Sequence, residues 1–155
     1  MDQYKEPLFA FIVRMVNNYD IAEDIFQETW IKVIRNVHSF RGDAKFSTWL
    51  FQIARNVYRD ELRKRKGVIH VSIDETLELP SESDDHAVNM DDMEQAQKII
   101  AGLPVKMKEA IVLRYFHDLH IKEIAEVVGC AEGTIQSRIF RGLDIVRKKR
   151  ELLYT

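Results

Sequence analysis

An acidic stretch, residues 67–97, divides this chain into two parts. The stretch holds nine Asp and Glu side chains and no Lys or Arg. Its centre, Pro80 to His86, combines Pro, Ser and acidic residues with little apolar content, which is typical of a solvated connector. Because a chain of 155 residues has room for one medium domain or two small ones, this connector favours two. We expect domains at residues 1–66 and 93–155, joined by a flexible acidic linker at 67–92.

Apolar residues on both sides of the linker recur at a spacing of three or four, which is the period of an amphipathic helix. In the first domain this pattern predicts a helix over about 5–18, a second that opens after Asp20, and a third that reaches Lys66. Asp20 would cap the second helix, and Ser47 or Thr48 the third. The second domain should contain helices over about 92–102, 105–117, 121–128 and 132–149. The predicted fold class is therefore all-α, with two small helical domains.

The same period assigns the faces of the helices in the first domain. The buried stripe of the second helix would comprise Ile21, Ala22, Ile25, Phe26, Trp30, Val33, Ile34 and Val37. The third helix should bury Trp49, Leu50, Ile53, Ala54, Val57, Tyr58 and Leu62. Its outward side chains would then be Phe51, Gln52, Arg55, Asn56, Arg59 and Arg63.

A short helix, a tight glycine turn and a longer basic helix follow one another in the second domain, as in a helix-turn-helix unit. Ala125 is small where the two helices would cross, and Gly129 can take the positive φ of a tight turn. The wedge between the helices would be filled by Ile124, Val128, Ile135 and Ile139, and the stripe would continue through Leu143 and Val146. Gln136, Ser137, Phe140 and Arg141 would then face outward, where polar and cationic groups can contact a major groove. The alternative is an ordinary helical hairpin with a solvated basic face.

Basic side chains are concentrated in two blocks that flank the acidic stretch. Residues 31–66 hold ten basic and three acidic side chains, and residues 98–155 hold eleven and seven, although the whole chain has a net charge of −2. Such patches are typical of two modules that face nucleic acid. In the first block, aromatic and cationic side chains alternate from Phe40 to Arg59, as they do in proteins that stack on unpaired bases. The alternative is a packing stripe, and we expect Trp49 and Tyr58 to lie in the core.

Several other classes of protein find little support in the sequence. The N-terminal residues lack a signal-peptide pattern and no run of eighteen apolar residues occurs, so we expect a cytoplasmic protein. The single cysteine, Cys130, can form neither an internal disulfide nor a two-cysteine zinc site, and it reads as a small core residue. The five histidines are scattered, and neither a glycine-rich phosphate loop nor a serine elbow is present. We therefore expect no enzymatic activity, metal, cofactor or small-molecule substrate.

The order of the motifs resembles that of the extracytoplasmic-function sigma factors, which form group 4 of the sigma-70 family. Segments that resemble their region 2 are Asp20–Trp30, Phe40–Asp43 and Thr48–Asp60. Segments that resemble their region 4 are Leu103–Pro104, Leu113–Tyr115, Glu123–Ala125 and Gly133–Arg141. The resemblance spans all but the linker and the two extreme ends of the chain.

This resemblance implies a transcription initiation factor that carries core RNA polymerase to promoter DNA and helps melt it. The clamp of the largest polymerase subunit would be bound by Asp20, Asp24, Gln27 and Glu28. Non-template-strand bases of the minus-ten element would be held by Phe40, Lys45, Phe51, Arg55, Asn56 and Arg59. The minus-thirty-five duplex would be read by Arg114, Gln136, Ser137, Arg138, Phe140 and Arg141. Relatives are commonly restrained by an anti-sigma factor, so such a partner is expected here as well.

Three residues depart from the pattern of the family. Gln136 stands where many relatives carry Lys or Arg, Ala131 replaces a frequent Ser or Pro, and Lys108 replaces a common Arg. Two rival functions from other classes stay open: a conventional helix-turn-helix regulator that binds duplex DNA as a dimer, and a decoy that only binds polymerase. A requirement for RNA polymerase would distinguish a sigma factor from the conventional regulator. The intact basic recognition helix argues against the decoy.

Overall fold

A computed structural model describes residues 2–66 and 92–153, so the predicted linker lies outside the described residues except for Asp92. Within those ranges every regular element is helical, which confirms the all-α prediction. The seven α-helices are α1 (Asp2–Val16), α2 (Tyr19–Asn36), α3 (Phe46–Lys66), α4 (Asp92–Ala101), α5 (Val105–Ile111), α6 (Ile121–Val128) and α7 (Glu132–Leu153). A 3-10 turn (Val37–Ser39) follows α2, and a π-helical turn (Val112–Phe116) continues α5.

Helices α1 to α3 form the first module, and their buried faces follow the predicted period at most positions. Leu50, Ala54, Val57, Tyr58 and Leu62 of α3 are buried as predicted. However, Ile34 of α2 is 65% exposed, and Val37, at the start of the 3-10 turn, is also exposed, although both were expected in the stripe. Ile34 follows buried Val33 directly, so it lies about 100° further round the helix and points away from α1 and α3.

The starts of α2 and α3 differ from those predicted. Asn18 caps α2, and its side-chain Oδ1 accepts a hydrogen bond from the amide of Ile21 at 3.1 Å. Asp20 therefore lies in the first turn of the helix, not at its cap. Helix α3 already begins at Phe46, so neither Ser47 nor Thr48 precedes it, and Thr48 is buried.

The second module contains the predicted helix-turn-helix unit in α6 and α7. Ile124, Ala125, Val128, Ile135 and Ile139 are buried between the helices, as predicted. Gly129 takes a φ of 81°, and its amide donates to the carbonyl of Ala125 at 2.8 Å, which ends α6 sharply. Leu143 is exposed instead of buried, because Gly142 occupies the inner face of α7 against α5 at that level.

The π-helical turn gives α5 an irregular end. The amide of Leu119 donates to the carbonyl of Leu113 at 3.1 Å, and Asp118 takes a φ of 55° in the turn that follows. A π-helical turn has wider, i→i+5 hydrogen bonds, so the side chains that follow it point in directions that differ from those of a regular α-helix. Here the chain directs His117 toward the first module, where its ring lies 5.9 Å from that of Phe11 and 5.2 Å from that of Phe51.

The two modules pack directly against each other. Helix α3 lies against α6, and α1 lies against α5 and the π-helical turn. Buried residues of both modules form one continuous apolar core, in which Phe11 and Leu50 belong to the same cluster as Leu113 and Ile124. The guanidinium of Arg14 lies 4.3 Å from the centre of the Phe116 ring at the edge of this contact. The described parts of the chain therefore adopt a closed arrangement.

Candidate nucleic-acid interface

Helix α7 presents the predicted polar face to solvent. Gln136, Ser137 and Arg141 are exposed, and Phe140 is 73% exposed beside them. The opposite side of the helix is fixed by Ile135 and Ile139 against α6, so this outer face has a defined orientation. A helix held in this way can enter a major groove and offer an amide, a hydroxyl and a cation to base edges and phosphates.

Two of the arginines predicted for the same surface also hold local structure. Arg114 is half-buried, and its Nη1 donates to the carbonyl of Leu119 at 3.1 Å. Arg138 is half-buried as well, and its Nη1 lies 3.8 Å from the sulfur of Cys130. Both guanidiniums thus brace the turns that flank α6.

A surface depression brings a further cation to the α7 face. It is lined by Lys106, Met107, Gly133, Thr134, Ser137, Arg138 and Arg141. Lys106 belongs to the first turn of α5 and was missed by the sequence analysis, because its only local signal is a lone basic residue after Pro104. The fold places it beside Ser137 and Arg141, so the cationic surface extends beyond α7.

The loop before α3 forms an aromatic cluster in the first module. The ring of Phe40 lies 5.3 Å from both Phe46 and Trp49, and Tyr4 lies 5.4 Å from Phe46. Gly42 takes a φ of 80°, which glycine adopts without strain, so the chain can turn sharply between Phe40 and Phe46. Beside the cluster, a surface depression is lined by Ser39, Phe40, Arg41, Gly42, Asp43, Ala44, Trp49 and Gln52. Such a depression offers a planar base both an aromatic wall and nearby polar groups.

The structure divides the remaining residues predicted for the minus-ten element into two groups. Asn56 and Lys45 are exposed, and Lys45 Nζ lies 3.3 Å from Glu123 Oε2 of the second module. Phe51, in contrast, is only 6% exposed, which corrects the expectation that it faces outward. Its ring packs 5.3 Å from that of buried Phe11 in its own module, and His117 of the second module lies 5.2 Å away on the same ring.

Arg55 and Arg59 are covered by the same contact and share one acidic partner, Glu109 of α5. Arg55 Nε lies 3.1 Å from Glu109 Oε1 and 3.2 Å from Oε2, and Arg59 Nη1 lies 3.7 Å from Oε1. The hydroxyl of Tyr58 also donates to Glu109. Burial raises the pKa of the Tyr58 hydroxyl well above its usual value, so the hydroxyl keeps the proton that it donates. Burial lowers the pKa of the Arg59 guanidinium.

Lys108 makes a further polar contact between the modules. Its Nζ donates to the carbonyl of Met15, near the end of α1, at 3.0 Å, and it lies 3.4 Å from the carbonyl of Ala101. Burial lowers the pKa of this ammonium to about 8. The adjacent charges Lys108 and Glu109, directly before four apolar residues, were the signal in the sequence for a buried polar contact.

The outer face of α2 carries both carboxylates and apolar side chains. Asp20, Asp24 and Gln27 are exposed as predicted, and Glu28 is half-buried, with Lys32 Nζ 3.9 Å from its carboxylate. Ile31 and Ile34 are exposed one to two turns further along. Neither isoleucine was predicted as part of this surface: Ile34 fits the apolar period of the buried stripe, and Ile31, outside that stripe, carries no signal of its own. An acidic helix face that also exposes apolar side chains on the same side of the helix is suited to binding another protein.

Comparison with known proteins gives the family of the chain. Residues 1–68 match the family described as Sigma-70 region 2, and residues 93–144 match Sigma-70, region 4. The ECF RNA polymerase sigma factor SigW of Bacillus subtilis (strain 168) is 34% identical over 160 residues, covering 96% of this chain and 86% of that protein. The RNA polymerase sigma-H factor of Pseudomonas aeruginosa is also 34% identical, with 94% and 81% covered.

A solved structure of a sigma factor shows the same fold. It is RpoE from Bartonella quintana in complex with the anti-sigma factor NepR, with a TM-score of 0.73, 27% identity, and 94% of this chain and 91% of that chain covered. None of the described helices combines the length and the apolar character needed to cross a membrane. The chain thus belongs to the extracytoplasmic-function sigma factors of the sigma-70 family, and it serves promoter-specific transcription initiation by RNA polymerase without enzymatic activity of its own.

Proposed function

We propose that this sigma factor divides promoter recognition between its two modules. Region 2 would span residues 1–66 and region 4 residues 93–155, with the linker at 67–92 between them. The family matches at 1–68 and 93–144 support these boundaries. The observation that carries the proposal is the contrast between a polar outer face on α7 and a loop with an aromatic-lined depression before α3.

The α7 face reads the minus-thirty-five element as duplex. Gln136, Ser137, Phe140 and Arg141 reach the base edges or phosphates of a major groove, because the packing of α6 and α7 leaves this side free. Arg138 and Arg114 stand at the margins of the face and contact phosphates. Lys106 adds a phosphate contact from the neighbouring helix.

The first module captures unpaired bases of the minus-ten element. A base extruded from the non-template strand enters the depression beside Phe40, while Asn56 and Lys45 contact the strand from the exposed side of α3 and its loop. Phe51, Arg55 and Arg59 extend this surface along α3. Cationic side chains next to aromatic rings suit a single strand, because they hold the backbone while a ring stacks on a base.

The α2 face docks on the clamp of the largest subunit of core RNA polymerase. Asp20, Asp24, Gln27 and Glu28 supply polar contacts, and Ile31 and Ile34 supply apolar area in the same patch. Apolar residues within a charged rim are typical of protein interfaces. The chain acts in the cytoplasm, where the polymerase is found, and an anti-sigma factor restrains it. The similar RpoE is found in complex with the anti-sigma factor NepR, which supports such a partner here.

Run-off transcription tests this function directly. Purified core RNA polymerase is incubated with a pool of promoter fragments, with and without the chain. We expect transcripts from specific start sites only when the chain is present. A chain that binds duplex DNA on its own and leaves the transcripts unchanged would be a conventional helix-turn-helix regulator instead.

A further inference from the structure

A small cavity lies between the end of α1 and the second module. It has a volume of about 140 Å³, close to the ~150 Å³ of an apolar cavity that can hold benzene. Its apolar lining residues are buried or half-buried and come from both modules: Val13, Ile100, Ala101, Val112 and Phe116. The cavity therefore has room for an apolar group about as large as one aromatic ring.

Arg14 lines the same cavity, and its charge has no acidic partner in the described parts of the chain. Its guanidinium lies 4.3 Å from the centre of the Phe116 ring, and burial lowers its pKa. Arg55 and Arg59, which are largely buried elsewhere between the modules, both pair with Glu109. Arg14 is thus a partly desolvated cation whose N–H donors are available to a ligand.

Two side-chain amides stand beside this cation. Asn17 and Gln97 also line the cavity, and both are exposed, so they lie toward its mouth. Asn17 takes a φ of 57°, which asparagine tolerates better than most residues, and its backbone amide donates to the carbonyl of Val13 at 2.8 Å. Side-chain amides can donate further hydrogen bonds to an anion that Arg14 holds.

We propose that this cavity binds a small apolar carboxylate, whose hydrocarbon part packs on the apolar lining while its carboxylate pairs with Arg14. A neutral apolar molecule would leave the partly desolvated cation unpaired, and a hydrated anion such as phosphate would leave the apolar lining without a partner. A mostly apolar lining with a few polar groups is typical of small-molecule sites. The site includes none of the residues assigned to DNA or polymerase, so the inference does not depend on the proposed function.

Benzoate is the probe, because its ring matches the volume of the cavity and its carboxylate is ionised at neutral pH. Benzamide keeps the ring and removes the charge, whereas acetate keeps the charge and removes the ring. Isothermal titration calorimetry with the full chain, at one fixed ionic strength, gives the dissociation constant of each compound. Heteronuclear NMR shows which backbone amides respond to it.

Two variants separate the charge of the site from its volume. Arg14→Gln removes the cation, and Ala101→Leu fills the apolar part of the cavity and leaves the cation in place. Arg35→Gln is the control, because it makes the same charge change at an exposed position on α2 of the same module. Circular dichroism checks that the helical content of all three variants is unchanged.

We expect the wild-type chain to bind benzoate saturably, with NMR changes around Arg14 and Ala101. Benzamide and acetate should each bind at least about tenfold more weakly, because one lacks the charge-assisted hydrogen bonds and the other lacks the buried ring. Arg14→Gln should weaken benzoate binding about tenfold and leave benzamide binding unchanged. Ala101→Leu should weaken the binding of both, and Arg35→Gln should bind like the wild type.

Absence of saturable benzoate binding to the wild type would overturn the proposal, whether the cavity then stays empty or the acidic stretch of the chain occupies it. Equal affinities for benzoate and acetate would assign the binding to surface charge, and NMR changes confined to other residues would place it elsewhere, so either result would reject this site. Equal benzoate affinities of Arg14→Gln and Arg35→Gln would reject Arg14 as the group that holds the carboxylate.

Discussion

Gly142 shows how closely α7 approaches α5. A methyl group at this position would lie 2.4 Å from Cδ1 of Ile111, which is buried, and 3.4 Å from Cβ of Met107. Both alanines gain helix propensity in α7, but overpacking against buried Ile111 should leave Gly142→Ala less stable than Gly133→Ala by about 1–3 kcal/mol of unfolding free energy. Urea denaturation measures the change. Gly133→Ala is the matched control, because its methyl group would meet nothing within 4 Å and alanine favours helix. Equal stability of the two alanine variants would show that the Ile111 side chain moves aside without cost.

His117 should make the closed arrangement sensitive to acid. Burial, together with the nearby Arg14 guanidinium, lowers the pKa of this imidazole from 6.5 to about 4, although Asp118 acts in the opposite direction. Between these two values the unfolded chain binds more protons than the folded chain, so stability should fall as the pH drops from 6.5 toward 4. Urea midpoints at several pH values measure this slope. His117→Phe should have a smaller slope across the same range, and an unchanged slope would assign the acid sensitivity to other groups.

Helix α2 is the element through which we expect the chain to bind polymerase. Asp24→Arg reverses the charge in the middle of its outer face, and an interfacial like charge can cost several kcal/mol of binding free energy. Association with core polymerase should weaken, while thermal stability changes little because Asp24 is exposed. Glu6→Arg is the control, since it reverses an exposed charge on α1 of the same module. Equal core affinity of the two variants would exclude this face as the docking surface.

The helices themselves were predictable because each carries a local signal. The apolar period defined the buried side of α3, and Gly129 marked the turn between α6 and α7. Errors arose where two residues compete for one role. Asn18 and Asp20 can both cap a helix, and the structure uses Asn18. Val33 and Ile34 can both extend an apolar stripe, and only Val33 does so.

The candidate site was predictable on α7 and only partly on α3. An outward face follows from the period alone when the other side of the helix is packed, as for Gln136 and Arg141. The environment of Phe51, Arg55 and Arg59 depends instead on contacts with a second module, whose contacting residues lie at least fifty positions further along the chain. Local periodicity contains no information about such a contact, so the sequence placed these side chains in solvent.

At the scale of the whole molecule, charge is segregated into surfaces with different partners. The acidic face of α2 points to a protein, and the basic faces of α3 and α7 point to nucleic acid. In the closed arrangement the α7 face stays exposed, whereas much of the α3 face is covered. Under the proposed division of promoter recognition, the α7 face is therefore accessible to duplex DNA in this arrangement, whereas much of the α3 face is not.

Transcript yield on two templates tests the division between the modules most directly. Arg141→Ala and Asn56→Ala are compared on a fully duplex promoter and on one whose minus-ten region is mismatched and open, at one salt concentration. Arg141→Ala should lose about 1–3 kcal/mol of binding on the duplex and less on the open template, where strand contacts can anchor the complex. Asn56→Ala should lose minus-ten base preference on both templates, because opening the strands does not restore a missing base contact. The same defect for both variants on both templates would contradict the assignment of duplex reading to one module and strand capture to the other.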